Sequence, residues 1–317
     1  MQKYIIAGEV RKINSFFRIF AKNFAFGERL CEKGAVFTAI RTDLALEAKA
    51  LWEKSAGETT ELSGVKARER ESEGLSVTQV DILDEQGQAA LGKPIGRYVT
   101  VELPRFDRDR LRPARVLAQE LRALLHGDEE KSVLVVGLGN RAVTPDALGP
   151  RTTDGLFLTR HLIANLPAQF GACREVSAVA PGVLATTGVE TLELVRGAVS
   201  HVKPELVIAV DALAAGSMER LCCTVQLSDT GIVPGSGVGN RRAGFSEETL
   251  GVPVFSVGVP TVVDASALCE SAEERMIVTP RDIDAKVAWL GSLLADALNA
   301  ALHPKFSQEE LEQFVQQ

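Results

Sequence analysis

The chain has 317 residues, 45% of them hydrophobic and 24% charged, with a formal net charge of −7. That length accommodates one large α/β domain or two small ones with an ample core. The negative balance argues against a general nucleic-acid binder, which needs a basic surface to neutralise phosphates. No run of roughly 18 uninterrupted apolar residues predicts a membrane span, and no continuous apolar segment marks a signal peptide. Five cysteines, an odd count without a CxxC pair, read as reduced thiols in a reducing, cytoplasmic compartment.

The first 40 residues stand apart. They carry seven Lys or Arg against three Glu, and six of the chain's 13 Phe. Residues 11–26 (RKINSFFRIFAKNFAF) predict an amphipathic helix, which suits a docking extension or a removable segment that covers something acidic. From Arg41 to about Glu61 a second helical pattern follows, with Leu44, Ala48, Leu51 and Trp52 on its apolar face. Residues 63–74 (SGVKARERESEG) are charged and read as a loop. Val77–Leu83 and Arg97–Leu103 alternate with period 2, joined by the turn-like DEQGQAALGKPIG, and predict a hairpin or meander.

Beyond Pro113 helix and strand alternate. A helix over 113–126 stops at Gly127. The β-branched run 132–140 (SVLVVGLGN) predicts a strand buried on both faces. Helix is expected at 155–166, strand at 174–183, helix at 189–202 and strand at 205–215. Further strands are expected at 222–231 and 252–265, a long amphipathic helix at 281–302 and a short one at 307–315. This alternation predicts a mostly parallel twisted sheet with helices on both faces.

Ligands of open α/β sheets bind beyond the carboxyl ends of the strands. The residues that follow each apolar run are therefore candidates for chemistry: Asn140, Thr144 and Asp146, then Asp211, then Asp229, then Asp264. Four carboxylates on one rim suit hydrolysis, with an ionised Asp activating water and a protonated one supplying the proton. The competing readings are a helix cap for Asp146 and a loop hydrogen bond for Asp211. GLGNRA lacks the third glycine of a dinucleotide fingerprint, and GSGVGNRR is followed by no GK[ST]. His126, His161, His201 and His303 fall in or near predicted helices away from the rim, which disfavours a histidine-held metal. An all-carboxylate metal site stays open.

Six stretches carry a family resemblance: RTDLALEA (41–48), VVGLGNRAVTPDALGP (135–150), SAVAPGVLATTGVET (177–191), VIAVDALAAGSMER (207–220), QLSDTGIVPGSGVGNRR (226–242) and ETLGVPVFSVGVPTVVDA (248–265). The chain resembles the germination proteases of endospore-forming bacteria, endopeptidases that degrade small acid-soluble spore proteins. The resemblance implies a three-layer α/β/α sandwich similar to the hydrogenase maturation proteases. It also implies a zymogen, a homotetramer, and two essential aspartates that match Asp146 and Asp211. It implies no cofactor, and the His that helps hold metal in the maturation proteases has no counterpart here.

The family cuts after an acid in a context resembling Thr-Glu-Ile/Phe-Ala, and Thr42-Asp43-Leu44-Ala45 looks like that substrate. The expectation is a pro-segment over 1–43, self-cleavage between Asp43 and Leu44, and one peptidase domain over 44–317 containing the hairpin region at about 75–104. The segment before Asp43 is longer, more basic and richer in Phe than the family's leader. Backbone N–H groups of the turns at 137–139 (Gly137, Gly139, with Asn140 beside them) or 235–239 (Gly237) are candidate oxyanion donors. Arg241 and Arg242 are candidates to meet the acid before the cut. The rival readings are a metal-dependent peptidase using Asp146, Asp211 and Asp264, and a homologue that binds spore proteins without cutting them.

Overall fold

The computed structural model describes residues 42–56, 62–104, 109–125, 130–235, 243–265 and 276–315. The helix expected at 11–26, and Gly237, Arg241 and Arg242, lie outside the described residues. In chain order, α1 (Ala45–Ala56) precedes β1 (Val65–Ser72), β2 (Leu75–Ile82), α2 (Glu85–Leu91), β3 (Gly96–Glu102), α3 (Leu111–Leu124) and β4 (Val133–Gly137). The short helices α4 (Leu148–Asp154), α5 (Arg160–Asn165) and α6 (Pro167–Phe170) lead to β5 (Val176–Val179), α7 (Leu184–Thr187), α8 (Thr191–Val202) and β6 (Leu206–Ala215). Then come β7 (Thr224–Ser228), α9 (Glu247–Leu250), β8 (Val254–Asp264), β9 (Ile277–Val278), α10 (Ile283–Leu302) and α11 (Gln308–Val315).

The strands form one mixed sheet in the order β1-β2-β3-β7-β8-β6-β4-β5, with β9 added on β8. The pairs β5–β4, β4–β6 and β6–β8 are parallel, as the alternation of helix and strand predicts. From β8 outward through β7, β3, β2 and β1 every pairing is antiparallel. The meander is therefore a continuation of the main sheet. With helices on both faces, the molecule has the expected α/β fold, but the sheet is mixed rather than mostly parallel, because the meander strands and β9 add five antiparallel pairings to the three parallel ones.

Period-2 geometry decides which face each strand residue serves. Val133, Val135, Leu206, Ile208 and Val210 belong to the large core under α3 and α10. Their neighbours Leu134, Val136, Val207 and Ala209 belong to the core on the other face, with Leu192 and Val195 of α8. Each such fully buried Val or Leu contributes roughly 1.5–3 kcal/mol. On the meander, Val99 and Val101 join the large core, while Val80, Ile82 and Tyr98 turn to the opposite face and pack against Ala45, Ala48 and Trp52 of α1.

Besides the helix expected at 155–166, of which Arg160–Asn165 is helical, two stretches differ from expectation. The charged run 63–74 contains β1, an edge strand exposed along most of its length. Its alternation is invisible because neither face is apolar, and such charge discourages edge-to-edge pairing. Glu73 and Gly74, at φ 47° and 77°, close the hairpin from Ser72 to Leu75; both positive angles are what a type I′ turn requires. The supposed turn between β2 and β3 contains α2. Asp84 caps it by accepting from the N–H groups of Gln86 and Gly87, both at 3.0 Å, and Gly92 ends it.

Candidate active site

The site grows from the parallel half of the sheet. β4 pairs with Leu206–Val210 of β6, so Asp211 is the first β6 residue past the end of β4. It is 4% exposed, and its Oδ1 accepts the N–H of Ala212 at 2.9 Å. Asp146 ends the 3₁₀ turn Thr144–Asp146 that follows β4. The N–H of Asn140 donates to the carbonyl oxygen of Asp146 at 3.0 Å and to its Oδ2 at 2.9 Å, which closes the loop.

Glycines bring this loop close to β6. A Cβ on Gly149, at the start of α4, would sit 2.3 Å from the carbonyl oxygen of Leu138 and 2.4 Å from that of Val210. A Cβ on Gly137 would in turn meet the Gly149 oxygen at 2.4 Å. The word GLGN…DALGP thus encodes backbone-to-backbone contact, and that contact sets Asp146 beside the strand that carries Asp211. Thr261 of β8 fastens the same turn from the other side, donating to the Pro145 carbonyl at 2.7 Å.

Asp146, Asp211 and Gly139 line one cavity of about 460 Å³, and Asp43 lines it too. Asp43 belongs to a tightly held segment, residues 42–47. The Asp43 N–H donates to the Ala214 carbonyl at 2.9 Å, and the Ala214 N–H donates back to Asp43 Oδ2 at 2.8 Å. Gln226 Nε2 donates to the Asp43 carbonyl at 3.1 Å, and its Oε1 accepts the Ala45 N–H at 2.7 Å. Lys93 Nζ donates to the Thr42 carbonyl at 3.3 Å. Glu47 accepts from the Gly216 N–H at 2.6 Å, from Ser217 Oγ at 3.0 Å and from the Thr42 hydroxyl. Burial pushes Lys93 below the ordinary lysine pKa, and the charges of Asp43 and Glu47 act against that shift.

Residues 43–274 match the sequence profile of the germination protease family. The chain belongs to the germination protease family. Its similarity to individual members extends well beyond isolated motifs. The germination protease of Caldanaerobacter subterraneus subsp. tengcongensis is 41% identical over 326 residues, covering 88% of this chain and 99% of that protein. That of Oceanobacillus iheyensis is 49% identical over 237 residues, covering 71% of this chain and 64% of its own. A solved hydrogenase maturation protease, HycI from Thermococcus kodakarensis, covers 56% of this chain and 98% of its own at 18% identity, with a TM-score of 0.33.

As a germination-protease family member the chain is a protease, and its other expected site residues fall as follows. Gly139 is on the cavity wall at φ 114°, where a Cβ would stand 2.0 Å from the Asp146 carbonyl oxygen. Gly137 packs against Gly149, and Asn140 serves Asp146 through its backbone. Gly235 and Ala243, which flank the segment holding Gly237, Arg241 and Arg242, both line the cavity. Asp264 ends β8, paired with Ile277 of β9.

Asp229 does not join the rim. β7 runs antiparallel to β8, so its carboxyl end points the other way, and Asp229 accepts the Arg97 N–H at 2.7 Å instead. Gln226, Lys93 and the Ala214 N–H are contacts that sequence reasoning missed. No group of three or more His, Cys, Asp or Glu among the described residues is arranged to hold a metal ion. No helix among them is long and apolar enough to cross a membrane.

Proposed function

We propose that this chain is the endopeptidase that begins the degradation of small acid-soluble spore proteins at germination. In this reading it is made as a zymogen and removes its own first 43 residues. Asp146 and Asp211 perform the hydrolysis. The family resemblance adds a homotetramer in the cytoplasm of the forespore and spore core.

The observation that carries the reading is the presence of Asp43 on the wall of the cavity that Asp146 and Asp211 share. The acid of a bond that looks like the family's substrate lines the same cavity as the two aspartates that resemble its essential pair. One carboxylate takes a proton from water as the water oxygen attacks the Asp43 carbonyl carbon. The other carboxyl gives its proton to the Leu44 nitrogen as the C–N bond breaks. The products are a new carboxylate at Asp43 and a new amine at Leu44, and water supplies every atom added.

Intact mass of the purified chain, held at mildly acidic and neutral pH beside Asp146→Asn and Asp211→Asn, tests this. A fragment beginning at Leu44 in the wild type alone is the expected result. Cleavage that persists in either variant removes the aspartate pair from the mechanism. A wild type that never cuts, and leaves an acid-soluble spore protein intact when begun at Leu44, removes the protease reading of this chain's site.

A further inference from the structure

We infer that Gln226 is a catalytic residue of the proposed cleavage, its amide donating to the carbonyl oxygen of the bond that breaks. The inference rests on the reading above, because it takes Asp43–Leu44 as that bond. Gln226 lies in the middle of β7, 7% exposed, on the face opposite Val225 and Leu227, which belong to the large core. Its side chain therefore rises toward α1, where it grips one short stretch of backbone at two points. Nε2 donates to the Asp43 carbonyl at 3.1 Å and Oε1 accepts the Ala45 N–H at 2.7 Å.

The first bond is to the carbonyl of the Asp43–Leu44 peptide itself, and the second is to the N–H of the next peptide, Leu44–Ala45. A buried amide used in both senses at such a place fixes the plane of the peptide and leaves its nitrogen to another partner. That partner is the Thr42 hydroxyl, which accepts the Leu44 N–H at 3.0 Å. The acid is held separately, through Oδ2 on the Ala214 N–H. Side chain, carbonyl and leaving nitrogen of the segment thus each have their own contact, as a bound substrate would.

The chemistry gives the amide a task. When water attacks the Asp43 carbonyl carbon, the π electrons move onto the oxygen, and that oxygen becomes an anion until the C–N bond breaks. A donor already aimed at it stabilises the anion with little reorganisation, and removing one such donor elsewhere slows catalysis about 10²–10³-fold. The alternative role, an anchor for the start of α1, predicts loose packing and no such loss in the chemical step.

The test is self-cleavage of the full chain, followed by intact mass at neutral pH in wild type, Gln226→Glu and Gln226→Met. Gln226→Glu keeps the acceptor for Ala45 but loses the donor; Gln226→Met keeps the length and loses both. Amide hydrogen exchange at Ala45 and Ala214 reports whether the segment is still seated, and thermal unfolding reports the fold. We expect both variants to cut at least about 100-fold more slowly, with Ala214 still protected.

A wild-type rate in a folded variant overturns the inference and leaves the aspartate pair standing. A slow variant in which Ala214 has lost its protection assigns Gln226 to anchoring and also overturns it. Wild-type cleavage at another bond, or none at all, overturns both the inference and the reading beneath it.

Discussion

The two halves of the sheet are built differently and contribute differently to the site. In the parallel half, β5-β4-β6-β8, the three inner strands are buried on both faces, and Asp146 and Asp211 lie toward their carboxyl ends. The antiparallel half, β1-β2-β3-β7, has one end in solvent, and it contributes Gln226 from β7 and Lys93 from the link between α2 and β3. In the proposed mechanism the first half supplies the aspartate pair, and the second holds the peptide on which they act and aims the Gln226 amide at its carbonyl.

The largest effect expected on this division comes from the parallel half. Asp146→Asn or Asp211→Asn should lower the rate of cleavage after Asp43 by about 10⁴-fold or more, on the scale of losing one member of a concerted catalytic set. The urea midpoint should change little for Asp146, which lies partly exposed on a loop closed mainly by backbone groups. Comparable losses from meander substitutions alone would abolish the distinction between the halves.

How far this division is legible in the sequence follows from what each strand must do. The runs around Val133, Leu206 and Val254 are apolar because both faces are covered, so composition alone marks them as strands. β1 has no covered face, and its Lys, Arg and Glu are indistinguishable from a loop until the pairing with β2 is known. Strand direction is equally hidden. Asp229 follows a buried strand just as Asp211 follows an apolar run, yet the reversal of β7 sends it to the opposite rim. Gln226 gives no signal because its partners are 181 and 183 residues away in sequence. Asp43 is visible only through the likeness of Thr42–Ala45 to a substrate.

Acid should test the parallel half through its histidine. His303, at the end of α10, is 3% exposed, with Nε2 at 3.0 Å from the Phe157 carbonyl and its ring among Phe157 and Phe306. Burial lowers its pKa to about 4 from 6.5. The unfolded chain therefore takes up a proton at a higher pH than the folded one. The stability that depends on a neutral ring is complete above pH 6.5 and is lost as pH falls from there toward 4. The loss reaches about 3 kcal/mol at its limit, because a tenfold difference in proton affinity between the two states is worth roughly 1.4 kcal/mol. Urea titrations at several pH values should show this slope in the wild type and a flatter one in His303→Phe. Equal slopes would place the acid sensitivity elsewhere.

A smaller loss should follow from Gly149→Ala. The added Cβ meets two carbonyl oxygens at 2.3 and 2.4 Å, and the backbone has to part to admit it. We expect about 1–3 kcal/mol of destabilisation, the usual scale of overpacking. The cleavage rate should fall by more than stability explains, because the displaced loop carries Asp146. A variant that is less stable but cuts normally would mean the contact serves packing alone.

Lys93→Met should give the smallest effect and bear most directly on the recognition half. The lysine touches Thr42 through its carbonyl and has Asp43 and Glu47 as its charged neighbours. The Asp43 and Glu47 charges favour its ammonium form against burial, while the Ala214 N–H fixes where the Asp43 carboxylate sits. Losing it should weaken the hold on the segment by about 1.4 kcal/mol, a tenfold slower self-cleavage. The decisive comparison adds Asp43→Asn in both backgrounds. If the lysine acts through the charge of Asp43, its removal costs tenfold in the native chain and almost nothing once Asp43→Asn is in place, so the double variant is no slower than Asp43→Asn alone. If the two losses multiply, Lys93 acts only through the Thr42 carbonyl, and the reading of the acid falls to the Ala214 N–H.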